Sequence, residues 1–352
     1  MKLLKLVDVC KAWQQFALKN ITVEISDGEY FVLLGPTGAG KTLLLETIAG
    51  FHRLDSGKIL FGSRDVTAVP PEKRGFGYVP QNCLLFPNMT VRKNVEFGLR
   101  MRGQSEADRK SKVDETLALF GLEHLADRMP AMLSAGEKQK TTLARVLAIK
   151  PTLILLDEPL GSIDASMRLE LRDELKRVHR DLHVTIIHVT HDQMEAFSLA
   201  ERVAIIRDGQ ITQVGEPKQI ITNPKDEPTA RLLGYENIYE AKLSQRLKGM
   251  SVAAVGMFAV KVGGIIESES CKIGLRPEDV MISREHPNSD ILNVASGLIV
   301  DYVDLGPIIA LDVDAGLPVR TIVTKRQFLE MQLGQAEQVW VSFAPEAVKV
   351  FE

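Results

Sequence analysis

"YFVLLGPTGAGKTLLLETIAG", residues 30–50, runs from five apolar residues through a glycine-rich turn into an apolar-periodic stretch that stops at Gly50. Its middle, "GPTGAGKT", satisfies G-x-x-x-x-G-K-[ST], and it sits where that pattern needs to sit, after a strand and at the start of a helix. Backbone N–H groups of such a turn, together with the positive end of the helix, cradle phosphates. Gly35, Pro36, Thr37, Gly38, Ala39, Gly40, Lys41, Thr42 and Leu43 are therefore the candidate phosphate-binding residues. Lys41 is expected to reach the outer two phosphates, and the Thr42 hydroxyl to bind magnesium. Residue frequencies alone would produce the bare pattern in roughly one chain of this length in a hundred. The strand and helix around it make chance a minor explanation.

A second site reinforces the first. In "LILLDEP", Asp157 ends an apolar strand and Glu158 follows it directly. A carboxylate at Asp157 suits magnesium through its water shell, and Glu158 suits the positioning and deprotonation of an attacking water. Further on, "LSAGEKQKTTLARVL" (133–147) carries Ser134 and Glu137 at capping-box spacing, so a helix starts there. Gly136 lies inside its first turn. Glycine costs about 1 kcal/mol in a helix interior but lets a ligand approach the backbone, so the turn is a candidate anion site. A plain surface cap is the competing reading.

Composition bounds the rest. With 352 residues, 45% hydrophobic and 25% charged, the chain can bury two ordinary cores. A net charge of -3, without long like-charged runs, supplies no basic field, and nucleic acid is not an expected partner. Cys10, Cys83 and Cys271 have no metal-ligand spacing and fit reduced thiols. "MKLLKLVDVC" lacks a signal-peptide core, and "GMSVAAVGMFAV" breaks at Lys261, short of the roughly 18 residues a membrane span needs. Any membrane role is expected to come through a partner.

The pattern changes once along the chain. Up to about Gly234, apolar strands such as 30–34, 153–157 and 184–190 alternate with helices, as in a parallel sheet covered on both faces, and Asp208-Gly209 marks a hairpin. From Ile238 onward the strands are short and alternating, with one helical patch near "KRQFLEMQL". "LRPEDVMI" (275–282) and "FAPEAVKV" (343–350) share Pro-Glu at one offset. A duplicated barrel-like module explains this, with chance likeness of two short strands as the alternative.

Five further marks, "VPQN" with Gln81, "LSAGE", "LLDEP", "LGSID" with Asp164 and "THD" with His191, follow in order over residues 1–233. With the phosphate loop they make this stretch resemble the ATP-binding cassette (ABC) ATPases of membrane transporters. The resemblance implies an α/β P-loop NTPase domain over 1–234 with a helical subdomain at about 88–150. An all-β, OB/MOP-like TOBE regulatory domain with two related lobes is implied over 235–352. It implies ATP and Mg2+ as cofactors, with Gln81 contacting magnesium and sensing the membrane subunit, His191 contacting the γ-phosphate, and Asp164 lying across a dimer interface. Trp13 occupies the place of the family's adenine-stacking aromatic, against the alternative of a core tryptophan. His188, inside an apolar strand, reads as structural.

In the family the segment matching 134–137 reads S-G-G-Q and reaches ATP held by the other subunit. One phosphate loop and one such turn per chain therefore imply a homodimer. Ala135 and Glu137 depart from that pattern and bring a negative charge near a triphosphate, which Lys138 and Lys140 are expected to offset in part; a slowed ATPase is the expectation. "PPEKRGFGYVPQNCLLFPNMTV" and "GLRPEDV" are similar to importers that work with a permease and a substrate-binding protein, including sugar, sulfate, iron and polyamine systems. "GPTGAGKTLLLETIAGFH" and "GLPVRTIVTKRQFLEMQL" look most like the molybdate/tungstate importers, whose tail domain can bind the oxyanion and inhibit the pump. Here Asn293 is kept but Leu292 stands in place of arginine, with Lys325 as a possible positive charge, so Asn293 and Lys325 are the candidate regulatory site. The resemblance implies a peripheral location on the cytoplasmic face of the cell membrane. A soluble cassette ATPase acting on DNA or ribosomes, and a non-hydrolysing regulator, are the alternatives from other classes.

Overall fold

The computed structural model describes residues 2–351 except 162, 248 and 290. Its contacts divide the chain into two compact units, Met1–Ile220 and Ile221–Glu352. In the first, a six-stranded sheet runs in the order Gln210–Gly215, Arg202–Arg207, Tyr30–Leu34, Thr185–Thr190, Leu153–Asp157 and Gly77–Val79. All neighbours are parallel except the first pair, which is a hairpin. Asp208 (φ 50°) and Gly209 (φ 74°) are both left-handed, as a two-residue turn matched to strand twist requires. Every residue of Tyr30–Leu34, Leu153–Asp157 and Thr185–Thr190 is buried, which is why these strands read as unbroken apolar runs.

A four-stranded antiparallel sheet (Ala17–Ser26, Lys2–Ala12, Ser56–Phe61, Arg64–Asp65) shares a core with it through Leu6, Ile21, Leu44 and Ile187. Three longer helices follow the segment after Gln81: Val91–Met101, Glu106–Leu119 and Ala135–Ala148. Asn94, fully buried, ties that segment down, its Nδ2 donating to Phe86 O, Met89 O and Thr90 O while its Oδ1 accepts from Phe86 N.

The second unit is built from two five-stranded antiparallel sheets, each formed mainly by one copy of a repeat. The first copy contributes Phe258–Gly263, Met250–Val255, Asn237–Leu247 and Ser270–Leu275; the second contributes Pro318–Thr324, Ile308–Asp314, Asn293–Asp304 and Gln338–Phe343. The Pro-Glu segments are short 3-10 turns, Pro277–Asp279 and Pro345–Ala347. Each turn sends its following strand into the other copy's sheet. Met281–Ser283 pairs with Gln338–Phe343, and Lys349–Phe351 pairs with Ser270–Leu275.

Two asparagines at matching positions add to this exchange. Asn237 Oδ1 accepts from Arg320 N at 2.6 Å and its Nδ2 donates to Arg320 O at 2.8 Å. Asn293 makes the same pair of bonds, at 2.7 and 2.9 Å, to the backbone of Lys261. Each copy thus grips the third strand of the other.

Candidate active site

The helix after Tyr30–Leu34 spans Lys41–Ala49 and ends at Gly50 (φ 97°), whose N–H bonds Glu46 O and Thr47 O. Left-handed glycine at this position satisfies carbonyls that the helix leaves open. At the other end Gly40 (φ 95°) turns the chain into the helix, and a Cβ there would stand 2.4 Å from Phe16 Cζ. The left-handed angle favours glycine at 40, and the half-buried Phe16 ring would have to shift for any larger residue. The first-turn N–H groups of this helix have no intrahelical acceptors, so they face whatever occupies the loop.

Thr37, Gly38, Gly40, Lys41, Thr42, Leu43, Gln81, Glu158 and His191 line one cleft of about 350 Å³. The sequence candidates at the phosphate loop, the strand ends and the "THD" turn are thereby brought together. Lys41 Nζ donates to Gly35 O (2.8 Å) and Pro36 O (2.9 Å). Burial lowers the Lys41 pKa, while the carboxylates of Glu158 and Asp157 oppose that shift. Thr42 Oγ1 donates to Asp157 Oδ1 at 2.9 Å. Asp157 is itself buried, and burial raises its pKa against the Thr42 hydrogen bond.

Glu158 (φ 44°) leaves the sheet in a left-handed turn, which swings its carboxylate across the cleft. Its Oε2 accepts from Gln81 Nε2 at 3.2 Å, and its Oε1 lies 3.0 Å from His191 Nδ1. A carboxylate held between an amide and an imidazole, at the rim of a phosphate loop, has the arrangement needed to orient and deprotonate a water.

Trp13 is half-buried, its ring meeting His52 edge-on at 5.2 Å with Lys11 Nζ 5.9 Å above it. It does not line the cleft; nor do Ser134, Gly136, Glu137 and Asp164. Asp164 caps the helix Ala165–Leu182, its Oδ1 accepting from Met167 N. Ser134 and Glu137 form the full capping box: Glu137 N donates to Ser134 Oγ, and Ser134 N to Glu137 Oε2 at 2.7 Å. That backbone bond holds the Glu137 carboxyl below its ordinary pKa, so the side chain is folded back and charged.

Three expectations change here. Lys140 does not offset Glu137, because its ammonium sits between Glu170 Oε1 and Glu174 Oε1, both at 2.8 Å. Gly136 has a packing reason as well as any ligand-related one, since a Cβ would meet Met167 Cγ at 2.5 Å. Asn293 and Lys325 do not meet within one copy. Asn293 opens the strand Asn293–Asp304, while Lys325 Nζ pairs with Asp304 Oδ2 at its far end. Twelve residues of strand separate them by on the order of 30 Å. The Asn293 amide is also already committed to Lys261.

Residues that sequence reading passed over include Thr190 and Glu195, which support the His191 turn. Asp192 and Glu195 have capping spacing, and Asp192 does cap the helix Gln193–Leu199; that signal was available.

Against solved structures, the chain is similar to cbiO1 from Clostridium perfringens, described as part of the ABC transporter complex cbiONQ (TM-score 0.58, 29% identity, 62% of this chain and 90% of that one). A family model for ABC transporters matches residues 18–161. The molybdate/tungstate import ATP-binding protein of Pyrococcus abyssi is 39% identical over 99% of this chain and 100% of its own length. This chain belongs to the ABC transporter ATPases. As an ABC ATPase it binds and hydrolyses ATP. The sulfate/thiosulfate import ATP-binding protein of Mannheimia succiniciproducens is also similar, 36% identical over 96% of this chain and 94% of its own.

Proposed function

We propose that the chain is the ATP-hydrolysing subunit of an importer that takes up molybdate or tungstate, working as two copies on a separate membrane permease. The observation that carries this reading is the end-to-end similarity to the P. abyssi protein, which runs through the β unit as well as the nucleotide cleft.

In this reading Glu158 is the general base, Gln81 and His191 hold its carboxylate, and His191 contacts the γ-phosphate. The oxygens of Thr42, Asp157 and Gln81 form a donor set suited to a hard cation. Bound magnesium there would neutralise charge on the outer phosphates. Trp13, half-buried, stacks on adenine. The turn at 134–137 and Asp164 lie outside their own copy's cleft, which supports their serving the nucleotide of a second copy.

The segment after Gln81 is fastened from behind and open in front. Cys83 Sγ donates to Gln139 Oε1, Arg145 Nη1 donates to Leu84 O at 2.7 Å, and the Leu84 side chain is 63% exposed. This face, with Leu84 exposed on it, is the permease-docking surface in the proposal. A substrate-binding protein would act on the permease, with no direct contact to this chain. No described helix is long and apolar enough to cross a membrane, which accords with a peripheral subunit on the cytoplasmic face.

Labelled uptake in a strain lacking this chain tests the reading. Molybdate accumulation should be lost and be restored by the wild-type chain but not by Glu158→Gln. Loss of sulfate uptake with molybdate untouched would overturn the substrate assignment and leave the ATPase role in place.

A further inference from the structure

A buried polar network lies behind the cleft and takes no part in the chemistry described above. His188, fully buried in Thr185–Thr190, has Nδ1 3.0 Å from Tyr30 Oη. Its Nε2 faces Glu195 Oε2 at 3.5 Å and has no hydrogen-bond partner of ordinary length among the described residues. Glu195, 4% exposed, accepts a short bond from Thr190 Oγ1 at 2.6 Å. Thr190 Oγ1 in turn accepts from Asp192 N at 3.0 Å, and Asp192 Oδ1 accepts from Glu195 N at 3.1 Å. These contacts close a ring around one residue, His191.

The direction of each bond follows from the chemistry of the groups. An ionised carboxylate only accepts, so the single Thr190 proton must point at Glu195. The Thr190 lone pairs are then left for Asp192 N, which fixes the peptide on the far side of His191. Tyr30 can donate to His188 Nδ1, leaving the Nε2–H to face Glu195; this tautomer leaves no group opposing another. Burial works against the Glu195 charge, but His188 and Thr190, with Arg168 farther off, outweigh it and hold its pKa below the ordinary glutamate value. The other charged group on the ring is Asp192, 3.9 Å from Arg168.

We propose that Glu195, acting through Thr190, is a positioning residue for ATP hydrolysis: it sets the hydrogen bonds on both sides of His191 and so keeps that imidazole at Glu158. The proposal rests on His191 contacting the γ-phosphate, as read above. Tyr30 opens the strand that leads into the phosphate loop, so the network ties the loop and the His191 turn to one buried anchor.

Thr190→Val keeps the shape and removes the hydroxyl, while Thr190→Ser keeps the hydroxyl. In the full chain, Thr190→Val should lower kcat about ten-fold with KM for ATP within about two-fold, and Thr190→Ser should restore kcat, because misplacement of a reacting group falls on the chemical step. Glu195→Gln keeps the shape but no longer dictates the Thr190 proton, and should lower kcat in the same sense; it decides the matter should Thr190→Val not fold. Wild-type kcat in a folded Thr190→Val or Glu195→Gln, or a rise in KM matching the loss of kcat, would overturn the proposal. His191→Ala measured alongside separates the two levels: if it turns over like wild type, the reading of His191 itself is wrong.

Discussion

Thr42 Oγ1, on a residue that lines the cleft, and Asp157 Oδ1, 115 residues away in sequence, are joined by a 2.9 Å hydrogen bond. The bond links the end of the phosphate loop to the end of Leu153–Asp157, a strand two places away in the sheet from the one that leads into the loop. Thr42→Val breaks it and removes one oxygen from the proposed magnesium donor set. We expect the magnesium concentration needed for half-maximal ATPase activity to rise by on the order of 10–100-fold. Magnesium titration of phosphate release checks this, and an unchanged midpoint would remove Thr42 from the metal site.

Glu158 is held by an amide at one carboxylate oxygen and an imidazole at the other, which suits a base held in place. Glu158→Gln should slow hydrolysis by roughly 10²–10⁴-fold while leaving ATP binding intact. With saturating Mg-ATP this variant should run as a dimer in light scattering. A monomer under those conditions would contradict the two-copy site.

Glu137 keeps its charge in the structure, and Lys140 is occupied elsewhere. Glu137→Gln retains the capping acceptor and removes the charge, so turnover should rise, by up to roughly five-fold for one charge at contact distance in water. Steady-state turnover at saturating ATP is the measurement; equal or slower turnover goes against a charge effect.

Asn237 and Asn293 each make two bonds to the backbone of the other repeat. Replacing either by alanine strands a part-buried N–H and C=O and should cost about 1–3 kcal/mol. Urea unfolding followed at Trp340, on a strand of the second repeat, reads this, and ATP turnover should be unaffected.

The Glu195 pKa lies below its ordinary value of 4.5 in the folded chain. Its ionised form therefore contributes stability that is fully present above that value and is lost as pH falls through the lower, folded one. The gap in melting temperature between wild type and Glu195→Gln should narrow as pH drops below about 4.5. A gap that stays constant down to acid unfolding would mean that the charge carries none of the stability.

Local physics made much of the nucleotide half legible. Residues 30–34 and 153–157 are strands because unbroken apolar runs suit a sheet covered on both faces, and Gly50 and Ser134 mark helix ends because the backbone there needs them. The phosphate loop and Asp157-Glu158 could be picked out because each chemistry demands a residue type at a short spacing, whereas His191 was marked only by the resemblance to the family.

Long-range approach decided the rest, since it leaves no spacing to read. Only the fold puts Met167 against Gly136, Glu170 and Glu174 on Lys140, and Glu195 beneath His191. The repeat in the β unit was visible as two Pro-Glu segments. That their following strands change sheets was not, because a strand's pattern records which face is buried and says nothing about which neighbour supplies its hydrogen bonds.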